Sequence, residues 1–575
     1  LSCLLCVSFA LVGCSDETTS VVVHLAASPS VRGEASVLSI QVYDDADEVV
    51  YDETRPDPDH PAELTLPASL PVVPREGREA LPFRVEAVLR DADGAMLGVQ
   101  RARARATMGE ERELWLCFEE DCRSVSCGAD QRCVSGECVS MDMDPRPPGV
   151  VDAASACGES SDAGVPDGGS GPPSAEFSEI EGGTARADGV EGVTIDIVLR
   201  DDMNRPVPGI TPTFGATGAD LMLDQNCTPT DAAGVSICES ALRSTTVQTA
   251  QLEITEPVRT SGGEAVFEPP WIYRSVGPGA STALADGGSG TLTIIDSTAT
   301  LAVALPGRAG VGDVLTYDSD GDDAMDAVAV IHGRISSTEM ELRDIDGLAA
   351  AATSAPTTQW ALHRAYTSLR DADRGAENEA IDPELSDFDT WDPVGGEDLV
   401  TRQRVWNIAC YGDAPDTSRT SISMWVTSPE TYLRVFTPHL PTEVGESQRH
   451  QGVWNDAAYR LQVGLSGDYA HAITMEIDYI RIEGLQVRVT GTANIEAGGI
   501  TVSWGVGDVN DIRISDNLVV GEMSPGTGTT AGIWIADDTS RSTIWNNVIY
   551  TFRNDSGQSG GIRIRGTSAC VSHNT

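Results

Sequence analysis

The stretch Asp318-Ser319-Asp320-Gly321-Asp322-Asp323-Ala324-Met325-Asp326 places carboxylates where they can do chemistry together. If the loop curls, Asp318, Asp320, Asp322 and Asp326 can converge on one hard cation, and Ca2+ suits such an all-oxygen set. A solvated acidic turn is the alternative reading of the same residues. Arg449-His450 offers a base beside a group that binds carboxylate or phosphate. His450 sits in a turn rich in Trp and Gly, where a structural hydrogen bond is the simpler role. Arg481, Arg513, Arg563 and Arg565 fall on short alternating strands, and the simpler reading puts them on the solvent side. All 38 basic residues are Arg. Without Lys there is no Lys Schiff base, no P-loop lysine and no lysine general base. The eight His are scattered, with no H-E-x-x-H pair. No residue is assigned a catalytic role. The formal charge of −50 repels polyanions, which excludes nucleic acid as a partner.

The acidic loop departs from an EF-hand. Asp323 stands where that motif needs Gly, and Ala329 where it needs Glu. It resembles more closely the short D-x-D-x-D-x-x-x-D loops of extracellular calcium proteins.

The 13 cysteines point to an oxidising compartment. Cys117, Cys122, Cys127, Cys133 and Cys138 are crowded together, Cys157 makes six, and no His lies near to complete a zinc site. These six are expected in disulfides, with connectivity left open. Cys227 and Cys238 flank a predicted turn and are expected to pair. Cys410 and Cys570 are expected to remain core thiols.

The first residues read LSCLLCVSFALVGC. This run is too short for a membrane span, which takes ~20 apolar residues. Its end, Leu11-Val12-Gly13-Cys14, resembles the bacterial lipobox. The resemblance implies a signal peptide over 1–14, cut before Cys14, and acyl chains on Cys14 that hold the protein to the membrane. Ser15 after the Cys implies outer-membrane sorting, with the chain exposed at the cell surface. There is no initiator Met and no basic leader, so the sequence is read as lacking its first residues.

Positioning these groups requires an all-β fold. Residues 20–116 alternate apolar and polar, as in Leu38-Ser39-Ile40-Gln41-Val42, and predict a β-sandwich. The Cys-rich module covers 117–139. Residues 140–175, with PRPPG and PDGGSGPPS, predict a disordered Pro/Gly/Ser/Asp linker. In 176–272, Val193 to Asp201 alternates like a half-buried strand. The Asn204-Arg205-Pro206-Val207-Pro208-Gly209 turn and Thr230-Asp231-Ala232-Ala233-Gly234 follow. This order resembles the bacterial Ig-like domains of the invasin/intimin type, which implies a spacer or adhesin stalk.

Residues 289–575 become repetitive. Gly499-Ile500-Thr501-Val502, Gly532-Ile533-Trp534-Ile535 and Gly561-Ile562-Arg563-Ile564 align with one another. Asn517, Asn547 and Asn574 recur between them. A period of this size means stacked repeats, with inward Ile and Val and an Asn ladder at one turn. Ile477 to Val487 looks like the strand that opens them. The pattern resembles right-handed parallel β-helix repeat proteins of the pectin-lyase-like superfamily. The stop at Thr575 falls mid-coil, so the C-terminus is also expected to be missing. The expected fold class is all-β, with β-sandwich modules followed by a right-handed parallel β-helix.

The leading functional expectation is a surface lipoprotein that displays this helix for carbohydrate or cell-surface binding, an adhesin without catalysis. A face of flat aromatics would favour that, with Trp504 and Trp534 as candidates. A polysaccharide lyase or glycosidase on the same scaffold is the second reading. Clustered Arg and carboxylates on one sheet face would favour it. A pure envelope spacer is the third.

Overall fold

A computed structural model describes residues 20–143 and 171–575, apart from short stretches within those ranges. The predicted signal segment with Cys14, most of the predicted linker, Cys157 and Trp504 lie outside the described residues. Two compact units divide at residues 168 and 169.

In the first unit, Ser20–Ala27 pairs antiparallel with Ala68–Val72 and parallel with Glu111–Phe118. A second sheet joins Val49–Arg55, Val37–Tyr43, Ala80–Arg90 and Met96–Thr107. Alternation puts Leu38, Ile40 and Val42 inward, and they bury against Val21, Val23 and Leu25 of the other sheet. This is the expected sandwich. The Cys module adds a hairpin, Gln131–Val134 with Glu137–Ser140. Disulfides join Cys122 to Cys133 and Cys127 to Cys138, and Cys117 is also disulfide-bonded. The buried Gln100 amide donates to the carbonyls of Cys117 (2.6 Å) and Cys133 (2.9 Å), which ties the module to the sandwich.

The second unit opens with another sandwich. One sheet runs Glu179–Gly182, Val193–Val198, Val235–Ser244, Leu221–Leu223. The other runs Thr184–Arg186, Thr260–Glu268, Gln248–Glu256, Thr213–Thr217. The first strand is split. Its first half pairs antiparallel in one sheet, and its second half crosses to pair parallel with the last strand in the other. Read in chain order, the sheets are ABED and A′GFC, the immunoglobulin arrangement. Cys227 and Cys238 are bonded within one sheet's connection rather than across the two sheets.

Only Pro269 and Pro270 separate this sandwich from Trp271–Val276, the first rung of a seven-stranded sheet. Each step in that sheet is parallel: Trp271–Val276, Val405–Cys410, Leu433–Phe436, Ile480–Glu483, Ile512–Ser515, Ser542–Trp545, Ala569–Ser572. A second parallel sheet starts at Arg460–Leu465 and a third at Thr420–Ile422, and each successive coil adds a strand to all three. This is a parallel solenoid, with Ile482, Val487, Ile500, Ile514, Ile533 and Ile544 stacked in its core.

Two boundaries differ from expectation. The opening rung is Trp271–Val276, not the strand near Ile480. Parallel pairing also does not fill 289–575. Seven strands between Ala285 and His363 form an antiparallel sheet inserted after the first rung. Short alternating strands look alike in either direction, and only pairing distinguishes them. Arg343 of this insert donates to Asp188 of the preceding sandwich at 2.9 Å, with both side chains buried.

The asparagine ladder forms as expected. The Asn547 Oδ1 accepts from the backbone N–H and the amide of Asn517, both at 3.0 Å. The Asn574 Oδ1 accepts the same pair from Asn547 at 2.9 Å. The residue before each ladder Asn turns left-handed, Asp516 (φ 57), Asn546 (φ 54) and His573 (φ 50), and so does Gly484 (φ 73) before Leu485, whose N–H donates to Asn517 Oδ1 at 3.0 Å. Gly, Asp, Asn and His are the types that tolerate this region best. The corner chemistry therefore sits in dipeptides such as Asp516-Asn517 and Asn546-Asn547.

The first coils hold buried ion pairs. The Arg274 guanidinium is bidentate to Asp389 (2.6 and 2.7 Å), which also accepts from the Tyr366 hydroxyl. Arg364 donates to Asp313 (2.6 Å) and Asp413 (2.7 Å) and lies over the Tyr411 ring. Cys410 is a buried free thiol, as expected, whereas Cys570 is disulfide-bonded, contrary to expectation.

Asp373 lies in the last turn of the short helix Leu369–Arg374 and is buried beside Trp425, whose indole N–H donates to it at 3.0 Å. Burial pushes its carboxyl up to about 7. A raised carboxyl pKa stabilises the folded state fully below the unfolded value near 4. That stability is lost as pH rises through about 7. Up to about 4 kcal/mol of pH-dependent stability follows from a shift of this size. Asp373→Asn should flatten the decline in melting temperature between pH 4 and 8. An unchanged slope in the variant would contradict this.

Candidate functional site

The acidic loop joins two antiparallel strands, Val314–Tyr317 and Ala327–Arg334. Carboxylate oxygens of Asp318, Asp320 and Asp322 lie within 4.8 Å of one another. Asp318 is buried and accepts the backbone N–H of Gly321 (2.7 Å) and Asp323 (3.2 Å). Asp326 is not brought to the cluster. It accepts from the Ser319 N–H (2.8 Å) and hydroxyl (3.0 Å) and so braces the loop from behind. Three of the four expected ligands can therefore face one cation, with the fourth holding the loop's shape.

The solenoid gathers arginines on the outward side of its first parallel sheet. Arg434, Arg481 and Arg513 are in register on three successive coils, about 4.8 Å apart. Each has a neighbour of its own. Arg434 donates twice to Glu483 Oε2, at 2.9 and 2.6 Å. Arg481 lies 3.6 Å over the Tyr432 ring. Arg513 pairs with Asp511 at 2.8 Å. Arg449 folds back over the same sheet, where its Nε donates to Thr437 at 3.4 Å. Burial alone would raise the Glu483 carboxyl. Arg434 above all, then Arg449 and Arg481, hold it below the usual range instead. Glu483 had no place in the sequence reading. The signal was present, because it stands two residues after Arg481 and so on the same strand face.

His450 is less suited to proton transfer than its sequence neighbourhood implied. Burial lowers it to about 4, and its Nδ1 accepts the Gly452 N–H at 3.1 Å. That is the structural hydrogen bond expected of it. Trp534 does not belong to an exposed aromatic face. It is 1% exposed, with the His471 ring edge-on at 5.8 Å and the Arg563 guanidinium at 4.9 Å. The string Gly557-Gln558-Ser559-Gly560-Gly561 matches G-x-S-x-G. Ser559 nevertheless opens a solenoid strand in parallel register with Thr530, not the strand-to-helix turn that exposes a nucleophile.

No protein-family model matches the chain, and no characterised protein matches it by sequence. Three solved structures are similar in part. The Yersinia pseudotuberculosis adhesin InvE is 18% identical over 32% of this chain and 53% of its own, with a TM-score of 0.16. Invasin, a bacterial integrin-binding protein, is 12% identical over 56% and 53%, at 0.14. Y. pseudotuberculosis InvD is 12% identical over 52% and 85%, at 0.15. The chain thus spans about half the length of InvE and of invasin. Scores this low describe partial likeness between β-rich chains, and the fold rests on the pairings given above.

Proposed function

We propose that this protein is a surface-displayed lipoprotein that binds a carbohydrate or cell-surface polymer through its solenoid, without turning it over. The observation that supports this most is the ladder-fixed coil array. It repeats one outward geometry from coil to coil, which suits an extended polymer. The arginines that a lyase would need are held by Glu483, Tyr432 and Asp511. A glycan array probed with the full chain tests the reading. Saturable binding to neutral or mixed glycans is expected, and a blank array would contradict it.

Anchoring would come from lipid on Cys14. Among the described residues no helix is long and apolar enough to cross a membrane. Cys14→Ala should move the protein from the membrane fraction to the soluble one. Unchanged membrane association would rule the lipid anchor out.

Ca2+ bound at Asp318, Asp320 and Asp322 would brace the insert on which the loop sits. A ligand that binds only the folded state stabilises it by mass action. Calcium at a hundredfold excess over its Kd should add about 2.7 kcal/mol, and Asp320→Ala should abolish the response. Equal calcium shifts in both proteins would remove the site.

A further inference from the structure

We propose that Arg449 and Arg481, flanking the Arg434–Glu483 pair, form a recognition site for a single anionic group, a carboxylate or a sulfate, carried on a glycan. The carrier rests on the function proposed above; the anion site does not.

Three guanidinium groups surround one carboxylate on this face. Arg434 takes that carboxylate through both its Nε and its Nη2. Among the described residues, neither Arg449 nor Arg481 has an ion pair of its own. The Arg449 Nη2 is screened from water and has no hydrogen-bond partner among the described residues. A shielded donor without an acceptor is costly, and a charged one more so. An incoming oxyanion would relieve that cost.

The surroundings hold these groups in place. The Arg481 guanidinium is stacked on Tyr432, which fixes its plane and leaves its donors at the rim. Gly484 makes room for Arg449, since a Cβ there would stand 2.4 Å from the Arg449 Nε. The same glycine holds the left-handed corner (φ 73). Guanidinium groups bind planar or tetrahedral oxyanions through paired N–H bonds.

The charge of the whole chain narrows the ligand. At −50 the protein repels a uniformly charged polymer. That repulsion is screened beyond about 8 Å at physiological salt. An isolated anionic substituent on an otherwise neutral chain therefore fits better than a polyanion.

The first arm of the test titrates the full chain with inorganic sulfate at constant ionic strength and follows the melting temperature. A saturable rise is expected in the native protein, lost in both Arg449→Gln and Arg481→Gln. Identical curves in all three would overturn the site, because sulfate also stabilises proteins without binding. Equilibrium dialysis with labelled sulfate makes the same comparison without depending on stability. The second arm compares dextran with sparsely sulfated dextran on immobilised protein. Preference for the sulfated polymer, lost in Arg481→Gln, supports a glycan-borne group. A sulfate response without that preference overturns the glycan carrier. No response to sulfate overturns the anion site, and the glycan array then still decides the wider function.

Discussion

Replacing Arg364 by Met should destabilise the second unit by about 3–5 kcal/mol, the cost of leaving a buried charge without its partner. Arg364 and Asp313 have fully buried side chains, and Asp413 is nearly so. Burial drives the Asp313 carboxyl up, against the pull of Arg364. Without the guanidinium, Asp313 must take up a proton or remain an unpaired anion in the core. The loss should therefore be smaller at acidic pH, where protonation is easy, and larger at neutral pH. A second variant separates charge from packing. Arg364→Met with Asp313→Leu should recover part of the loss, because a matched apolar replacement often matches a buried pair. Denaturant melts of the three proteins at pH 5 and pH 8 check this. A pH-independent loss would show that the Met merely packs badly.

Asn547→Ala should cost about 3 kcal/mol or more, since several buried groups lose partners at once and each costs about 1–3 kcal/mol. The Asn517 backbone N–H and amide lose their shared acceptor. The carbonyl of Ile514 loses its side-chain donor, and Asn574 Oδ1 loses one of its two donors, keeping only the residue-547 backbone N–H. Asn547→Asp keeps the acceptor but loses the amide donors and buries a charge. It should be destabilised at neutral pH and partly rescued by acid. Hydrogen exchange should show the coils 480–575 opening together in Asn547→Ala. Protection equal to that of the native chain would mean that the ladder contributes little.

Local and periodic features were legible in the sequence; those that depend on distant pairing were not. The Asn spacing announced the ladder, because each coil brings the same corner back to the same place. Trp271–Val276 was missed as the first rung because its partner is Val405–Cys410, across a whole inserted sheet. In the acidic loop, the carboxylates of Asp318, Asp320 and Asp322 come together as their spacing suggested. Asp326 was lost to Ser319, a neighbour within the same loop. Trp534 lies on the outward side of its strand, yet His471 and Arg563 cover it. Arg449 reaches Gly484 only because the loop before Tyr459 folds back, and no spacing rule predicts that contact.

Incubation with pectate, alginate, chondroitin and heparin, followed by the absorbance of unsaturated uronate, tests most directly whether the solenoid binds without catalysis. The expected result is a flat trace for every polymer at protein concentrations that saturate the glycan array. A reproducible rise that disappears in Arg481→Gln or Arg513→Gln would contradict the account and make the arginine face the active site of a lyase.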